Sequence, residues 1–235
     1  MEKYPGLKIA VVVSRKWDGA EIAEEITSKL KDKNLQPRFF LLFTTIHYKS
    51  EFQKILNGIK NVFPDAPLIG GTVAGFMTQD GCYTGGVTVL TIDYSNMEIA
   101  IGIGYNTKKN PKSAATEFVK MLSKGILNSN YNENLLFIFT SGTRVPSLLG
   151  TGVKRVYKTR IPSSVLSRML KTSFQVSQKG VGREDIILEE LSKQIPDINI
   201  IGGSSIDDNK METNYQFFNT EIFTNTVVGL LIKTI

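Results

Sequence analysis

One stretch of this chain is written twice. Leu56 to Thr72 reads LNGIKNVFPDAPLIGGT, and Leu188 to Ser204 reads LEELSKQIPDINIIGGS, 132 positions later with no gap. Leu56/Leu188, Pro64/Pro196, Asp65/Asp197, Ile69/Ile201, Gly70/Gly202 and Gly71/Gly203 coincide. Each copy reads as an amphipathic helix, a Pro-Asp stop, a short apolar strand and a Gly-Gly turn followed by a hydroxyl. Such a repeat constrains the fold more tightly than composition does, because both copies must find the same local solution.

The surrounding order repeats as well. Leu7 to Ser14 is a continuous β-branched run, as expected of a strand buried on both faces. Asp18 opens a helix with capping-box spacing to Glu21, and Ile22, Ala23, Ile26 and Leu30 share one side. Arg38 to Thr45 is a second strand, and Ser50 to Asn61 a second helix. Gly86 to Asp93 and Met97 to Tyr105 flank Asp93-Tyr94-Ser95-Asn96 and read as a hairpin. The order then restarts. Glu98 to Gly104 resembles the first strand, and Asn110-Pro111 starts a helix. Leu135 to Thr140 matches Leu41 to Thr45, Arg183 to Gln194 is the second copy of the helix, and Thr226 to Ile232 closes the unit. The expectation is an α/β protein of internally duplicated β-α-β-α-β-β units with mixed sheets. Its two pseudo-symmetric lobes, about 7–93 and 97–235, form a single domain over 1–235.

The lobes differ at one place. The first spends only Ile46 to Lys49 between its second strand and second helix, whereas the second inserts 141–182. No Asp or Glu occurs from Asn134 to Arg183, while nine Lys and Arg do. That exceeds the net charge of +6, so the remaining chain is net acidic and the basicity is local. The insertion carries an amphipathic patch, Ser163 to Leu170, read as helix. With Tyr157 and Phe174 it offers an anionic surface or nucleic acid a place to bind. Two aromatics and no recognised motif make nucleic acid the weaker partner.

Hydrophobic residues make up 41% and charged residues 21%, which suits a globular protein. No apolar run is long enough to span a bilayer. The N-terminus lacks the pattern of a secretory signal, and one cysteine, Cys82, cannot form an internal disulfide. A cytoplasmic location is expected.

LIGGTVAGF (Leu68 to Phe76) followed by GGVTVLTID (Gly85 to Asp93) resembles the core of FIST domains. So does IIGGSSIDDN (Ile200 to Asn209) followed by YQFFNTEIFTNTVVGLLI (Tyr215 to Ile232). The resemblance covers most of the chain and corresponds to the N-terminal FIST portion, in a stand-alone form without the C-terminal one. It implies a sensory module of prokaryotic signal transduction that binds a small ligand, with an amino acid suggested, and whose state a partner protein reads. Some members bind haem and respond to nitric oxide.

Gly70, Gly71 and Thr72 with Gly202, Gly203, Ser204 and Ser205 are expected to approach a ligand with their backbone, across a cleft between the lobes. Asp207, Asp208 and Asn209 follow the second copy alone and suit an ammonium group or a cation. Ser141 and Arg144 begin where a central strand ends, and Arg144 suits a ligand carboxylate. Thr44 and Thr45 are their first-lobe equivalents. His47, the sole histidine, is the only axial ligand available to haem. One His and one Cys cannot build a structural zinc site, and no catalytic constellation stands out. The expectation is therefore a binding protein and not an enzyme. A haem-bound gas sensor and a binder of anionic surfaces through the insertion are its rivals.

Overall fold

A computed structural model describes residues 4, 6–125, 133–144, 180–208 and 210–234. The elements run β1 (Lys8–Ser14), α1 (Gly19–Asp32), β2 (Phe40–Thr44), a 3-10 turn (Ile46–Glu51), α2 (Phe52–Val62), β3 (Leu68–Thr72), β4 (Phe76–Thr78), β5 (Gly81–Tyr83) and β6 (Val87–Asp93). They continue with β7 (Met97–Tyr105), α3 (Pro111–Gly125), β8 (Glu133–Ser141), α4 (Glu184–Gln194), β9 (Asn199–Ser205), β10 (Gln216–Phe218), β11 (Glu221–Phe223) and β12 (Thr226–Thr234). Local chemistry sets the ends as read from sequence. The Asp18 carboxylate accepts the Ala20 and Glu21 N–H groups at the start of α1. Pro111 opens α3, where its missing N–H costs nothing.

Two mixed sheets form. One has the order β1-β6-β2-β3-β10-β11 and the other β7-β12-β8-β9. The runs β1-β6-β2-β3 and β7-β12-β8-β9 share both order and sense: two antiparallel pairings and then a parallel one. The sheets stack face to face with helices on the outside. Residues alternate along each strand, so β2 sends Phe40 and Leu42 to α1 and α2 and Leu41 to the second sheet. Ile22, Ile26, Ile55 and Ile59 complete the first helix–sheet layer. Phe118, Leu122, Ile187 and Leu191 pack on Leu136 and Ile138 in the other. Between the sheets lie Ile69, Phe139, Val228 and Leu230, and the Phe43 ring meets Phe139 edge-on at 5.2 Å.

Three expectations need correction. The segments on either side of Asp93-Tyr94-Ser95-Asn96 do not pair: β6 lies between β1 and β2, while β7 pairs with β12, so this turn carries the chain from one sheet to the other. Alternation alone cannot tell a hairpin from a sheet switch. The Gly-Gly pairs are also not turns. Both lie inside strands, β3 and β9. A Cβ on Gly70 would sit 1.7 Å from the Leu42 carbonyl oxygen, and one on Gly202 would sit 1.8 Å from that of Ile138. Glycine is needed there so that the parallel partner strand can approach. Finally, β1 is not buried on both faces: it is the edge strand of its sheet, and Ile9 and Val11 are exposed. The hairpin β4–β5 forms its own two-stranded sheet, whereas β10–β11 crosses over to extend the first sheet through β3. Most of the basic insertion, 145–179, including the helix read at Ser163 to Leu170, lies outside the described residues, as does Asn209.

Candidate functional site

The parallel pairs β2/β3 and β8/β9 bring the carboxyl ends of both sheets together, where ligands of open α/β sheets gather. The join is made by backbone. Thr72 N donates to the Tyr215 carbonyl, Ile206 N donates to the Thr72 carbonyl, and Tyr215 N donates to Thr72 Oγ1, each at 3.0 Å. Residues 206–208 and 210–215 thus ride on the end of β3.

Beneath that segment lies a buried polar network centred on Asn214. Its Oδ1 accepts from Ser141 Oγ and Ser205 Oγ, both at 3.0 Å, and its Nδ2 donates to the Gly142 carbonyl at 3.3 Å. Gln216 joins the same network, donating to Asn214 Oδ1 at 3.1 Å and accepting from Thr226 N at 3.1 Å. Lys108 enters from the β7–α3 connection, and its Nζ donates to the Gly142 carbonyl at 2.5 Å. Burial lowers the Lys108 pKa to about 8; the Glu184 carboxylate opposes that shift and the Arg144 guanidinium adds to it. Ser141 and Ser205 are therefore spoken for as framework.

Beside the network a crevice of about 460 Å³ opens along β8, β9 and α4. Ile138, Leu188, Ile200 and Ile201 supply apolar wall, and Thr140, Glu184, Gly202, Gly203 and Ser204 supply polar groups and backbone. Ser204 Oγ donates to Glu184 Oε1 at 2.6 Å. Thr140 Oγ1 is buried and has no hydrogen-bond partner among the described residues. A buried hydroxyl left unpaired costs about 1–3 kcal/mol, and Thr140 is one of the residues on the crevice wall.

The predicted residues are thus divided. Gly202, Gly203 and Ser204 line the crevice. Gly70, Gly71 and Thr72 do not face it: they are buried, and Gly71 is walled in by Tyr215 and Phe139. The two Gly-Gly pairs do not face each other across an open cleft. Asp207 is buried, and its carboxylate accepts the N–H groups of Met211, Glu212 and Thr213 at 2.8, 2.7 and 3.1 Å, so it folds its own loop instead of awaiting an ammonium group. Asp208 pairs with Lys210 at 2.7 Å. The hydrogen bond from Lys210 holds its pKa below the ordinary value. Arg144 pairs its backbone with Gly180 and reaches the Glu212 carbonyl with Nε at 3.4 Å. His47 is exposed on the 3-10 turn and Cys82 is exposed on β5. Among the described residues, no three His, Cys, Asp or Glu side chains cluster to hold a metal. A larger cavity of about 620 Å³, between β1, α1 and the hairpin β4–β5, contains none of the predicted residues.

The sequence reading missed Lys108, Thr140, Glu184 and Asn214. Only Glu184 left a signal. It stands 132 positions after Phe52, at the start of the repeated helix, where the first copy has an aromatic ring.

A family model, the FIST N domain, matches residues 38–235. The chain belongs to the FIST family. That family consists of sensory domains, and the matched span includes both Gly-Gly strands, the crevice and the Asn214 network. No curated protein matches the chain. Among solved structures, this FIST domain is similar to a cyanuric acid hydrolase from A. caulinodans, with 8% identity and a TM-score of 0.40 over 97% of this chain and 67% of that one. Among the described residues, no helix of the FIST domain is long and apolar enough to cross a membrane.

Proposed function

We propose that this FIST domain is a sensory module that binds a small polar molecule, of the size and character of an amino acid, in the crevice along β9. The reading rests above all on the unpaired Thr140 hydroxyl in the crevice wall. The wall fits a ligand with two ends. Ile138, Leu188 and Ile201 suit an aliphatic or aromatic side chain, while Glu184 suits an ammonium group. Lys108, whose charge feels both Glu184 and Arg144, sets a cationic pole behind the carboxylate. Glu184 takes the ammonium-binding part expected of Asp207, while Arg144 lies off the crevice wall. The signal is a shift between free and filled crevice, which a partner protein reads.

The test is thermal unfolding of the purified chain against amino acids and small carboxylates, with wild type beside a Thr140→Val, Glu184→Gln double variant. A ligand at a hundredfold excess over its dissociation constant stabilises the native state by about 2.7 kcal/mol. One ligand class should raise the melting temperature of the wild type and leave the double variant unmoved. A shift retained in full by the double variant places the ligand elsewhere.

A further inference from the structure

The two units are alike in strand order, yet they are unequally covered. In the first, β10 of the second unit adds antiparallel to the edge of β3, pairing Gln216, Phe217 and Phe218 with Gly71, Gly70 and Ile69. In the second, β9 is the outer strand of its sheet, and among the described residues no strand pairs with its free edge. The same positions differ in exposure accordingly. Ile69 is fully buried and its counterpart Ile201 is 51% exposed. Leu56 is buried and its counterpart Leu188 is exposed. Gly71 is pressed by the Tyr215 backbone, whereas a Cβ on Gly203 would meet nothing within 4 Å.

The missing cover exists in the chain. The hairpin β4–β5 stands 140 positions before β10–β11, at the matching place in its own unit. Met77 therefore corresponds to Phe217. Phe217 is 1% exposed and packs on Phe52 with ring centroids 5.0 Å apart, whereas Met77, at 83%, is the most exposed large apolar residue among those described. The crevice along β9 occupies the place that Phe217 fills beside Leu42, Phe52 and Leu56. One chain thus carries an open sheet edge and a hairpin of the kind that closes such an edge, and it does not join them.

We propose that two copies of this chain associate by exchanging these elements. The β4–β5 hairpin of each copy adds to the β9 edge of the other, with Met77 entering the outer part of the crevice. In the register of β10 on β3, Phe76, Met77 and Thr78 of one copy pair with Gly203, Gly202 and Ile201 of the other. Two such contacts related by a twofold axis close on themselves and leave neither β9 edge open. The occupant is a second copy because the hairpin and the edge are already matched, position by position, to an interface that forms inside the chain. Association does not depend on a ligand. Since Met77 is slimmer than Phe217 and Glu184 stands where Phe52 would, the docked hairpin roofs the polar end of the crevice without filling it.

The experiment is sedimentation of the ligand-free chain across a micromolar concentration series, beside Met77→Asp. The wild type is expected to sediment as a dimer. Met77→Asp is expected to sediment as a monomer with an unchanged far-ultraviolet spectrum, since Met77 is exposed within one copy. In a Cys82→Ser background, a Thr78→Cys chain mixed with an Ile201→Cys chain is expected to form an interchain disulfide that neither forms alone in comparable yield. A monomer throughout the series overturns the proposal and leaves the β9 edge to a strand from another protein. A dimer that Met77→Asp leaves intact, or that gives no mixed disulfide, overturns it as well.

Discussion

Lys108 Nζ lies 2.5 Å from the carbonyl oxygen of Gly142, a bond that ties the β7–α3 connection to the end of β8. The amine is buried, and its pKa falls from 10.5 to about 8. Below pH 8 both folded and unfolded chains hold the proton, and the fold bears the cost of burying it. Between about 8 and 10.5 only the unfolded chain holds it, so this group makes stability rise with pH. The span corresponds to about 3 kcal/mol. Urea unfolding at pH 7.5, 9 and 10, run beside Lys108→Met, should show the wild type gaining on the variant as pH rises. A difference that stays flat refutes the assignment.

Glycine substitutions should separate the two roles of the repeated Gly-Gly pair. Gly70→Ala and Gly202→Ala each drive a methyl group into a partner-strand carbonyl, at 1.7 and 1.8 Å. Backbone must move in both, and each should cost about 3 kcal/mol or more. Gly203→Ala meets open space and should change monomer stability by no more than about 0.5 kcal/mol. Chemical denaturation of the three variants checks the contrast.

The repeat was legible because it is local. Helix stripes, the Asp18 cap and Pro111 act within a few residues of themselves, and they appear in the fold as read. What lies between distant elements was not legible. Nothing in Tyr94-Ser95-Asn96 says that the chain changes sheet there, and nothing in Gln216–Phe218 says that this strand pairs with β3. Gly202, Gly203 and Ser204 were singled out through the repeat and line the crevice, whereas Lys108 and Asn214 matter only because the fold buries them beside Gly142. Asp207 was misread for a related reason. An acidic loop residue looks like a ligand contact until the backbone N–H groups that fill it are seen.

Asp207 should therefore behave as a folding residue. Its carboxylate accepts the N–H groups of Met211, Glu212 and Thr213 and holds Met211 at a positive φ of 56°. Alanine leaves those donors without a charged acceptor, and such bonds are each worth about 1.5–3 kcal/mol. Because water can reach part of the opened loop, a total loss of about 2–4 kcal/mol is expected from Asp207→Ala, measured by thermal unfolding without any ligand. A fully stable Asp207→Ala would return this carboxylate to the list of ligand contacts.

Thr140→Val tests the crevice itself. Replacing a paired hydroxyl by a methyl group ordinarily destabilises a buried site, but Thr140 Oγ1 has no partner among the described residues. Removing it relieves an unmet desolvation cost while nearly conserving shape, so the ligand-free variant should be as stable as the wild type or firmer by about 1 kcal/mol. A ligand that hydrogen-bonds the hydroxyl should lose about 1–3 kcal/mol of affinity, roughly tenfold or more. Stability and affinity therefore move in opposite directions. Thr44, the first-unit counterpart, gives the control: its hydroxyl already donates to the Gly86 carbonyl at 3.2 Å, so Thr44→Val should cost stability and leave affinity alone. If Thr140→Val weakens the fold as Thr44→Val does, its hydroxyl is satisfied from within, and the argument for a ligand at β9 fails with it.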